Sequence, residues 1–484
     1  MTIAGNKTSF LYATLAALFI LVSGVAIFTE QYFLILIPFA ILLFYAGWQN
    51  RNIIFYLLLA TIPFSFEYNF SSGLGTDIPD ELLMLLVSFL FIAAWLYSPK
   101  AITKNVLQHP LLILLYAVIG WMLVTVIFST DKIVSLKYLL AKGWYIGAFV
   151  ITPLILCREK KVIVIAAKVL TGSMLLVTAI ALLRHYQTGF SFATINNAVN
   201  PFFRNHVNYS AMLVCIIPVL VAFHQLSKNN GHRYLLSAML IIALLALFFS
   251  YARGAWLALL AGIIAYWLIK RRLFFYSYII AFIIIISSVC WLKNNDRYLQ
   301  YAHHYQTTIF HKNFSEHLIS TYQFKDVSTA ERFYRWIAGV RMIKDNWLTG
   351  YGPNTFYNNY KGYAVPAFKT WVSDNPEHST VHNYFLLITI EQGIPGLLFF
   401  LVMLGTMFFY VQHLYKRITD VFYKTVSLTI GVMLSMLVVV NFLSDLIETD
   451  KIGSLFFLCF AMLIVTDSNT SRDLDLPPDV QRIS

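Results

Sequence analysis

The sequence predicts an all-α polytopic membrane protein with about 12–14 transmembrane helices and one large outward-facing loop. Three observations support this prediction. Hydrophobic residues make up 59% of the 484 residues, whereas charged residues make up only 12%. The mean hydropathy of +0.68 leaves too few polar side chains to cover a soluble globule of this length. The apolar runs are long and lack the alternation of barrel strands, so helices are expected to span the bilayer.

Apolar runs of roughly bilayer length define the candidate spans. They lie near residues 10–28, 32–48, 52–66, 80–97, 110–128, 135–156, 162–183, 208–224, 234–249, 254–269, 273–292, 395–413, 425–443 and 452–466. We therefore divide the chain into four parts. These are an N-terminal bundle of about eleven spans over 1–292, a loop over 293–394, about three C-terminal spans over 395–466, and a cytoplasmic tail over 467–484.

The basic residues indicate which connections face the cytoplasm, because inner loops are rich in lysine and arginine. With the N-terminus inside, the short inner connections are rich in these side chains and the opposing short connections are poor in them. The inner connections hold Arg51, Lys100, Lys104, Arg158, Lys160, Lys161, Lys228, Arg233, Lys270, Arg271, Arg272, Lys416, Arg417 and Lys424. The segment 184–207, the turn at Arg253 and the loop 293–394 then face outward.

The formal net charge of +12 does not indicate nucleic acid as a partner. The basic residues lie at the ends of apolar segments, and no basic soluble domain is present. Anionic membrane lipids are the expected partners instead. The four cysteines, Cys157, Cys215, Cys290 and Cys459, lie within or beside apolar runs without metal-binding spacing, so no disulfide framework is predicted.

The long loop is predicted to fold. A capping-box pattern, Ser328-Thr329-Ala330-Glu331, begins a helix with apolar residues at helical spacing. Arg332 and Arg335 lie on one flank of this helix. A glycine-rich turn follows at 346–354, and the loop delivers His382 to the membrane surface, where a neutral imidazole can take a proton near pH 7.

These residues resemble the O-antigen ligase and O-antigen polymerase superfamily in both content and order. The resemblance covers roughly residues 200–415. It rests on Arg204 to Ala211, Ser250 to Ala258, Arg332 with Trp336, Gly350-Tyr351-Gly352, and His382-Asn383 with Glu391 to Leu397.

The resemblance implies a metal-independent glycosyltransferase of the bacterial inner membrane, without a cofactor, whose loop and site face the periplasm. Such enzymes take a glycan from undecaprenyl diphosphate and place it on a glycan or glycolipid acceptor. A ligase of this kind, with a lipid A core sugar as its acceptor, is favoured. The alternative activities are those of a repeat-unit polymerase and of a protein O-oligosaccharyltransferase. Arg204, Arg253 and Arg332, with Arg335 as the local alternative, would bind the diphosphate, and His382 would be the general base of an inverting transfer. The oligomeric state is left open.

Simpler interpretations exist for the same residues. Arg253 and Arg204 are also typical of interfacial anchors, and Arg332 or Arg335 would pair with Glu331 or Asp326 on a solvated face of the loop. His382 would cap the following helix, or bind zinc together with His378 four residues earlier.

Two further features bear on function. The acidic residues Asp77, Asp80 and Glu81 are typical of the first turn of a helix, where the macrodipole favours negative charge. Trp336, Tyr351, Phe356 and Trp371 are candidates for stacking on sugar rings.

A polytopic transporter of lipid-linked glycans is the alternative from another functional class. It would place ionisable residues in mid-membrane, where Lys142 and Lys168 are the candidates. The long loop favours the enzyme, because it has no counterpart in the first half of the chain.

Overall fold

The predicted fold class is confirmed by the computed structural model of the chain, which is an all-α polytopic membrane protein. The structure describes residues 22, 36–69, 75–295, 297, 327–365, 369, 373–375 and 378–475. Eleven helices within these residues are long and apolar enough to cross a membrane, and a shorter apolar helix spans Arg51–Phe64. The candidate span near 10–28 lies outside the described residues, except for residue 22.

The long helices are labelled α1 to α14 in chain order. They are α1 (Leu36–Gln49), α2 (Arg51–Thr61), α3 (Asp80–Tyr97), α4 (Pro110–Ile127), α5 (Lys132–Leu156), α6 (Lys160–Gln187), α7 (His206–Leu226), α8 (Asn230–Phe249), α9 (Arg253–Lys270), α10 (Phe274–Lys293), α11 (Val327–Asp345), α12 (Tyr384–Arg417), α13 (Val421–Leu443) and α14 (Asp450–Asp475). An antiparallel hairpin pairs β1 (Phe66–Asn69) with β2 (Gly75–Ile78), with Glu67 opposite Asp77. Short helical turns occupy Ile62–Phe64, Pro99–Ala101, Lys104–Leu107, Phe192–Thr194, Ile195–Val199, Phe356–Asn359, Tyr360–Tyr363 and Leu446–Glu448.

Among the candidate spans, α14 has the largest share of buried residues, whereas the most apolar stretch of α10 has no buried residue and lies at the periphery. The helix α9 packs along α13, α4 packs along α12, and α7 packs against both α8 and α13. The main apolar core runs through these helices. A smaller core, which includes Ile337, Met342, Phe356 and Tyr360, joins α11 and the turns after it to Ile390 of α12.

Alternating spans place their connections at two ends of the bundle. The "loop end" comprises the described residues of the connections 62–79, 129–131, 188–205, 250–252, 346–383 and 444–449, together with α11. The opposite end carries the basic residues predicted for the inner connections that the structure describes, and there Lys160 pairs with Asp420 at 2.7 Å. The helix α14 continues nine residues past the predicted span end at 466.

The helix α12 contains a kink that breaks its internal hydrogen bonding. Gly393 has a left-handed, non-helical backbone (φ 70°, ψ 179°) inside the helix. Pro395 has no N–H to donate to the carbonyl of Glu391, four residues earlier. Backbone groups freed in this way are costly at membrane depth unless another part of the protein satisfies them.

The glycine-rich turn predicted at 346–354 supplies the missing donors. Tyr351 N–H donates to the Ile390 carbonyl at 3.0 Å, and Gly352 N–H donates to the Glu391 carbonyl at 2.9 Å. The left-handed Gly350 (φ 66°) lies directly on this backbone, since a Cβ there would be 2.4 Å from the carbonyl carbon of Glu391. The motif Gly350-Tyr351-Gly352 therefore fits against the kink.

The contact is reciprocal. Ile394 N–H, on the other side of the kink, donates to the Trp347 carbonyl at 2.8 Å. The buried carboxylate of Glu391 accepts the N–H of Asn354 at 2.8 Å and that of Phe356 at 3.2 Å. The loop is thereby fastened to α12, which begins at Tyr384 and thus lies partly inside the predicted loop.

We predict that Gly393→Ala destabilises the protein. The substitution forces a Cβ into the left-handed region and within 2.1 Å of the Leu348 carbonyl oxygen, at a cost of about 2 kcal/mol or more. Thermal unfolding in detergent should show a clearly lower Tm. Gly172→Ala, in α6 with open space around the new Cβ, is the matched control and should leave Tm unchanged or slightly higher. Equal Tm values for the two variants would contradict the proposed importance of the kink.

Candidate active site

His382 lies between the end of the loop and the first turn of α12. Its backbone is left-handed, with φ 53°, which is uncommon for a residue other than glycine and often marks a functional position. The N-cap of α12 is Asn383, whose side chain accepts the N–H of Leu386 at 2.9 Å. His382 is therefore not the cap of this helix, and its imidazole is 35% exposed.

The helix α11 holds the segment before His382 in place. Arg335 donates to the Thr380 carbonyl at 2.9 Å, and the indole N–H of Trp336 donates to the Val381 carbonyl at 2.9 Å. Arg335 also pairs with Glu331 at 3.1 Å and is only 5% exposed. The alternative of a pair with Glu331 is thus correct for Arg335, although the pair is buried and not on a solvated face.

Asp445 is an acidic neighbour of His382 and was not among the predicted site residues. Its Oδ1 lies 3.9 Å from His382 Nδ1, and its Oδ2 accepts a hydrogen bond from the Thr380 hydroxyl. The chain around Asp445 is tied to the start of α12, because Tyr384 N–H donates to the Ser444 carbonyl at 3.0 Å. These contacts place the imidazole and the carboxylate side by side.

The charges around His382 suppress its protonation. Burial by the surrounding protein, together with the positive charges of Arg335 and Arg332, lowers the pKa of His382 to about 3. Protonation near pH 7, which the sequence led us to expect, is therefore disfavoured in this structure. Burial raises the pKa of Asp445 to about 6, with the hydroxyl of Thr380 opposing the effect and Glu448 adding to it.

Lys142, which had no assigned role, pairs with Glu448 at 2.9 Å. Tyr138, one turn before it on α5, donates its hydroxyl to the same carboxylate at 2.8 Å. This buried arrangement connects α5 to the short connection that carries Asp445. Lys168, by contrast, is exposed on α6.

Arg204 and Arg253 lie at the loop end, on other elements. Arg204 lines a polar cavity of about 430 Å³ together with Asn208 and Glu448. Arg253 is the first residue of α9, and its neighbour Gly254 faces Leu443, the last residue of α13. The structure thus groups Arg332 and Arg335 with His382, while Arg204 and Arg253 belong to neighbouring parts of the same end.

The predicted sugar-stacking aromatics have other roles in the structure. Phe356 is 1% exposed and stacks on Tyr360 at 4.9 Å between ring centroids, so the prediction for Phe356 is wrong. Tyr351 is buried, and its hydroxyl donates to Tyr363 at 2.8 Å. The indole N–H of Trp336 holds the loop, as described above. Trp371 lies outside the described residues.

Within the described part of the chain, one group of acidic or metal-ligating side chains is close enough to hold a metal ion. It consists of Asp77, Asp80 and Asp450. Glu81 instead accepts the backbone N–H of Asp77 at 3.1 Å. His378 is exposed and stacks on Tyr357 at 3.8 Å, so the described residues provide no zinc site for His378 and His382.

The fold and these contacts define a class: helical multi-pass membrane proteins with arginines, a histidine and carboxylates gathered at one end. Residues 238–401 match the family model described as O-antigen ligase. The matched segment is about a third of the chain and contains Arg253, Arg332, Arg335 and His382. No curated protein matched the chain.

The family match confirms the predicted resemblance to the O-antigen ligase and polymerase superfamily. It supports a ligase- or polymerase-type function with lipid-linked glycans as the general class of substrate.

Proposed function

We propose that this chain is an O-antigen ligase-like glycosyltransferase of the bacterial inner membrane. It moves a glycan from undecaprenyl diphosphate to an acceptor hydroxyl on the periplasmic face, with a lipid A core sugar as the favoured acceptor. The observation that carries the proposal is the neutral His382 beside Asp445, within the electrostatic reach of Arg332 and Arg335. Arginines bind a diphosphate, and a neutral imidazole accepts a proton.

The reaction needs little beyond these groups, because a diphosphate is already a good leaving group. The bond from the anomeric carbon to the diphosphate oxygen breaks, and its electron pair stays on the diphosphate. The acceptor oxygen attacks the opposite face of that carbon, and its proton passes to His382. Arg204, Arg253 and Arg332 stabilise the negative charge that grows on the leaving group. The product is the inverted glycoside, and no step requires a metal ion.

The contacts of Arg335 and Arg332 favour different roles for the two side chains. Arg335 is fixed by Glu331 and the Thr380 carbonyl, so it acts as a positioning residue for His382. Arg332 is more exposed on the same helix and is the better diphosphate ligand. A bound diphosphate would offset the positive potential of the arginines and thereby raise the pKa of His382. Donor binding would then make His382 a stronger base toward the acceptor hydroxyl.

Two alternatives use the same donor but a different acceptor. They are a repeat-unit polymerase and a protein O-oligosaccharyltransferase. A transporter is less well supported, because Lys142 is neutralised by Glu448 and the loop is fastened to the bundle next to His382. An assay that offers different acceptors separates these possibilities.

The experiment is a transfer assay with the full-length chain in proteoliposomes that contain a lipid-linked glycan. The second substrate is lipid A core, further lipid-linked glycan, or a protein acceptor. We expect transfer to lipid A core. His382→Ala should lower its rate by roughly two to four orders of magnitude while donor binding persists. His378→Ala is the matched control, since His378 is a loop histidine with the same left-handed φ of 53°. Full turnover by His382→Ala would remove the base from the mechanism, and no transfer to any acceptor would refute the proposed function.

The pH dependence should depend on Asp445. Below about pH 6 its carboxyl is protonated and cannot stabilise the imidazolium that forms during transfer; above that pH it is ionised and can. The transfer rate of the wild type should therefore rise through about pH 6. Asp445→Asn should be slower and lose this rise. A wild-type profile that is flat between pH 5 and pH 7 would contradict the role of Asp445.

Arg332→Lys should reduce kcat/KM about tenfold or more, which corresponds to roughly 1.4 kcal/mol, because lysine keeps the charge but loses the planar fork. Arg341→Lys, at an exposed position on the same helix, is the control and should retain wild-type turnover. The same substitution tests Arg204 and Arg253. Equal activity of the two α11 variants would assign Arg332 to the helix surface and not to the donor.

A further inference from the structure

We propose that Asp77, Asp80 and Asp450 form a binding site for one hard divalent cation of the Ca²⁺ type. This site is separate from the proposed transfer chemistry, which takes no step through it. The three residues come from β2, the start of α3 and the start of α14, so a cation there would join segments that are remote in sequence. One carboxylate oxygen from each residue lies within 4.8 Å of the others. Oxygen-only ligands of this kind suit Ca²⁺ or Mg²⁺.

The side chain of Asp80 points to a missing ligand. Asp80 is 0% exposed. Its Oδ1 accepts the N–H of Glu81 at 2.9 Å, whereas its Oδ2 is buried and accepts no hydrogen bond from the described residues. A buried carboxylate oxygen without a donor is unfavourable, and a coordinated cation removes that penalty.

Lys451, which follows Asp450 in the chain, directs the hydrogen bonds of its ammonium to other acceptors. It donates to the carbonyls of Ile62 and Ser65, both at 2.9 Å, and to the Ser65 hydroxyl. These three acceptors match the three N–H donors of an ammonium. The Ser65 hydroxyl in turn donates to the Ile62 carbonyl at 3.0 Å. Lys451 therefore donates no hydrogen bond to Asp80 Oδ2, although it lies beside a cluster of three carboxyl groups.

Helix macrodipoles account for part of the cluster only. Asp80 begins α3 and Asp450 begins α14, and a negative charge is favourable at each helix start. This effect does not explain why the two helix starts and Asp77 converge. Asp77 and Asp450 also line the polar cavity of about 430 Å³ that contains Arg204 and Glu448. The cavity gives a cation a polar route to the cluster and room for coordinated water.

The site would stabilise the connection that carries Asp445 and Glu448. That connection, residues 444–449, ends at Asp450, and the hairpin that carries Asp77 would be fixed to the same point by the cation. The cation would thus act on the structure of the loop end. Its binding can be measured without any assay of transfer.

The test uses the full-length chain in detergent at pH 7.5 after treatment with a chelator. Equilibrium binding should show one Ca²⁺ per chain, and Ca²⁺ should raise Tm by roughly 3 °C or more. Mg²⁺ is measured in parallel. Asp80→Asn should lose both the binding and the shift. Glu67→Gln, an exposed acidic residue of the same cavity, is the matched control and should keep both.

A wild-type protein that binds neither Ca²⁺ nor Mg²⁺ at millimolar concentration would overturn the proposal. A higher Tm of Asp80→Asn in the absence of any cation would do the same, since it would show that the carboxyls share protons. The direct binding measurement on the wild type decides the question even if the variant does not fold. Failure of this binding test would not bear on the proposed transfer function, because the test does not measure turnover.

Discussion

The contact on which the loop end depends is the docking of the turn 347–354 onto the kink of α12. Pro395 and Gly393 free the carbonyls of the buried residues Ile390 and Glu391, and the backbone N–H groups of the turn satisfy them. The kink and the loop are therefore one structural unit. Because His382 stands at the start of the same helix, this contact also sets where the imidazole lies relative to α11 and to the connection 444–449.

Hydrophobicity predicted many of the spans, because a single apolar run can satisfy its own backbone hydrogen bonds in a bilayer only as a helix. The helix α9, at Arg253–Lys270, differs from the predicted 254–269 by one residue at each end. The start of α12 was harder to predict. Glycine and proline at 393–396 indicate a helix boundary, and Gly393 does interrupt α12 with a non-helical backbone. The helical segment that begins at Tyr384 was not predicted, because it is held by donors from the distant turn, and such tertiary contacts leave no local signal in the sequence.

Only part of the candidate site could be predicted, because some of its contacts depend on how distant segments pack. His382 and the arginines are visible because they are polar residues at the ends of apolar runs. Asp445 is 63 residues from His382, and its partnership depends on how α12 and α13 pack. A signal was nevertheless present: Asp445, Glu448 and Asp450 place three carboxylates in six residues between two spans, at the same end as the arginines. The choice between Arg332 and Arg335 likewise required the observed Glu331 pair.

The electrostatics of the loop end depend on how its charged side chains are arranged around His382. Arg335 pairs with Glu331, and Lys142 pairs with Glu448. Both pairs order the backbone around His382, and each carboxylate offsets the positive charge of its partner. Burial, together with the positive potential of Arg335 and Arg332, disfavours the protonated form of His382. An anionic donor is the ligand that this potential favours, and the same donor is what would restore basicity to the imidazole. Substrate binding and base strength would then be coupled through one set of arginines, with Asp445 placed to stabilise the protonated form that results.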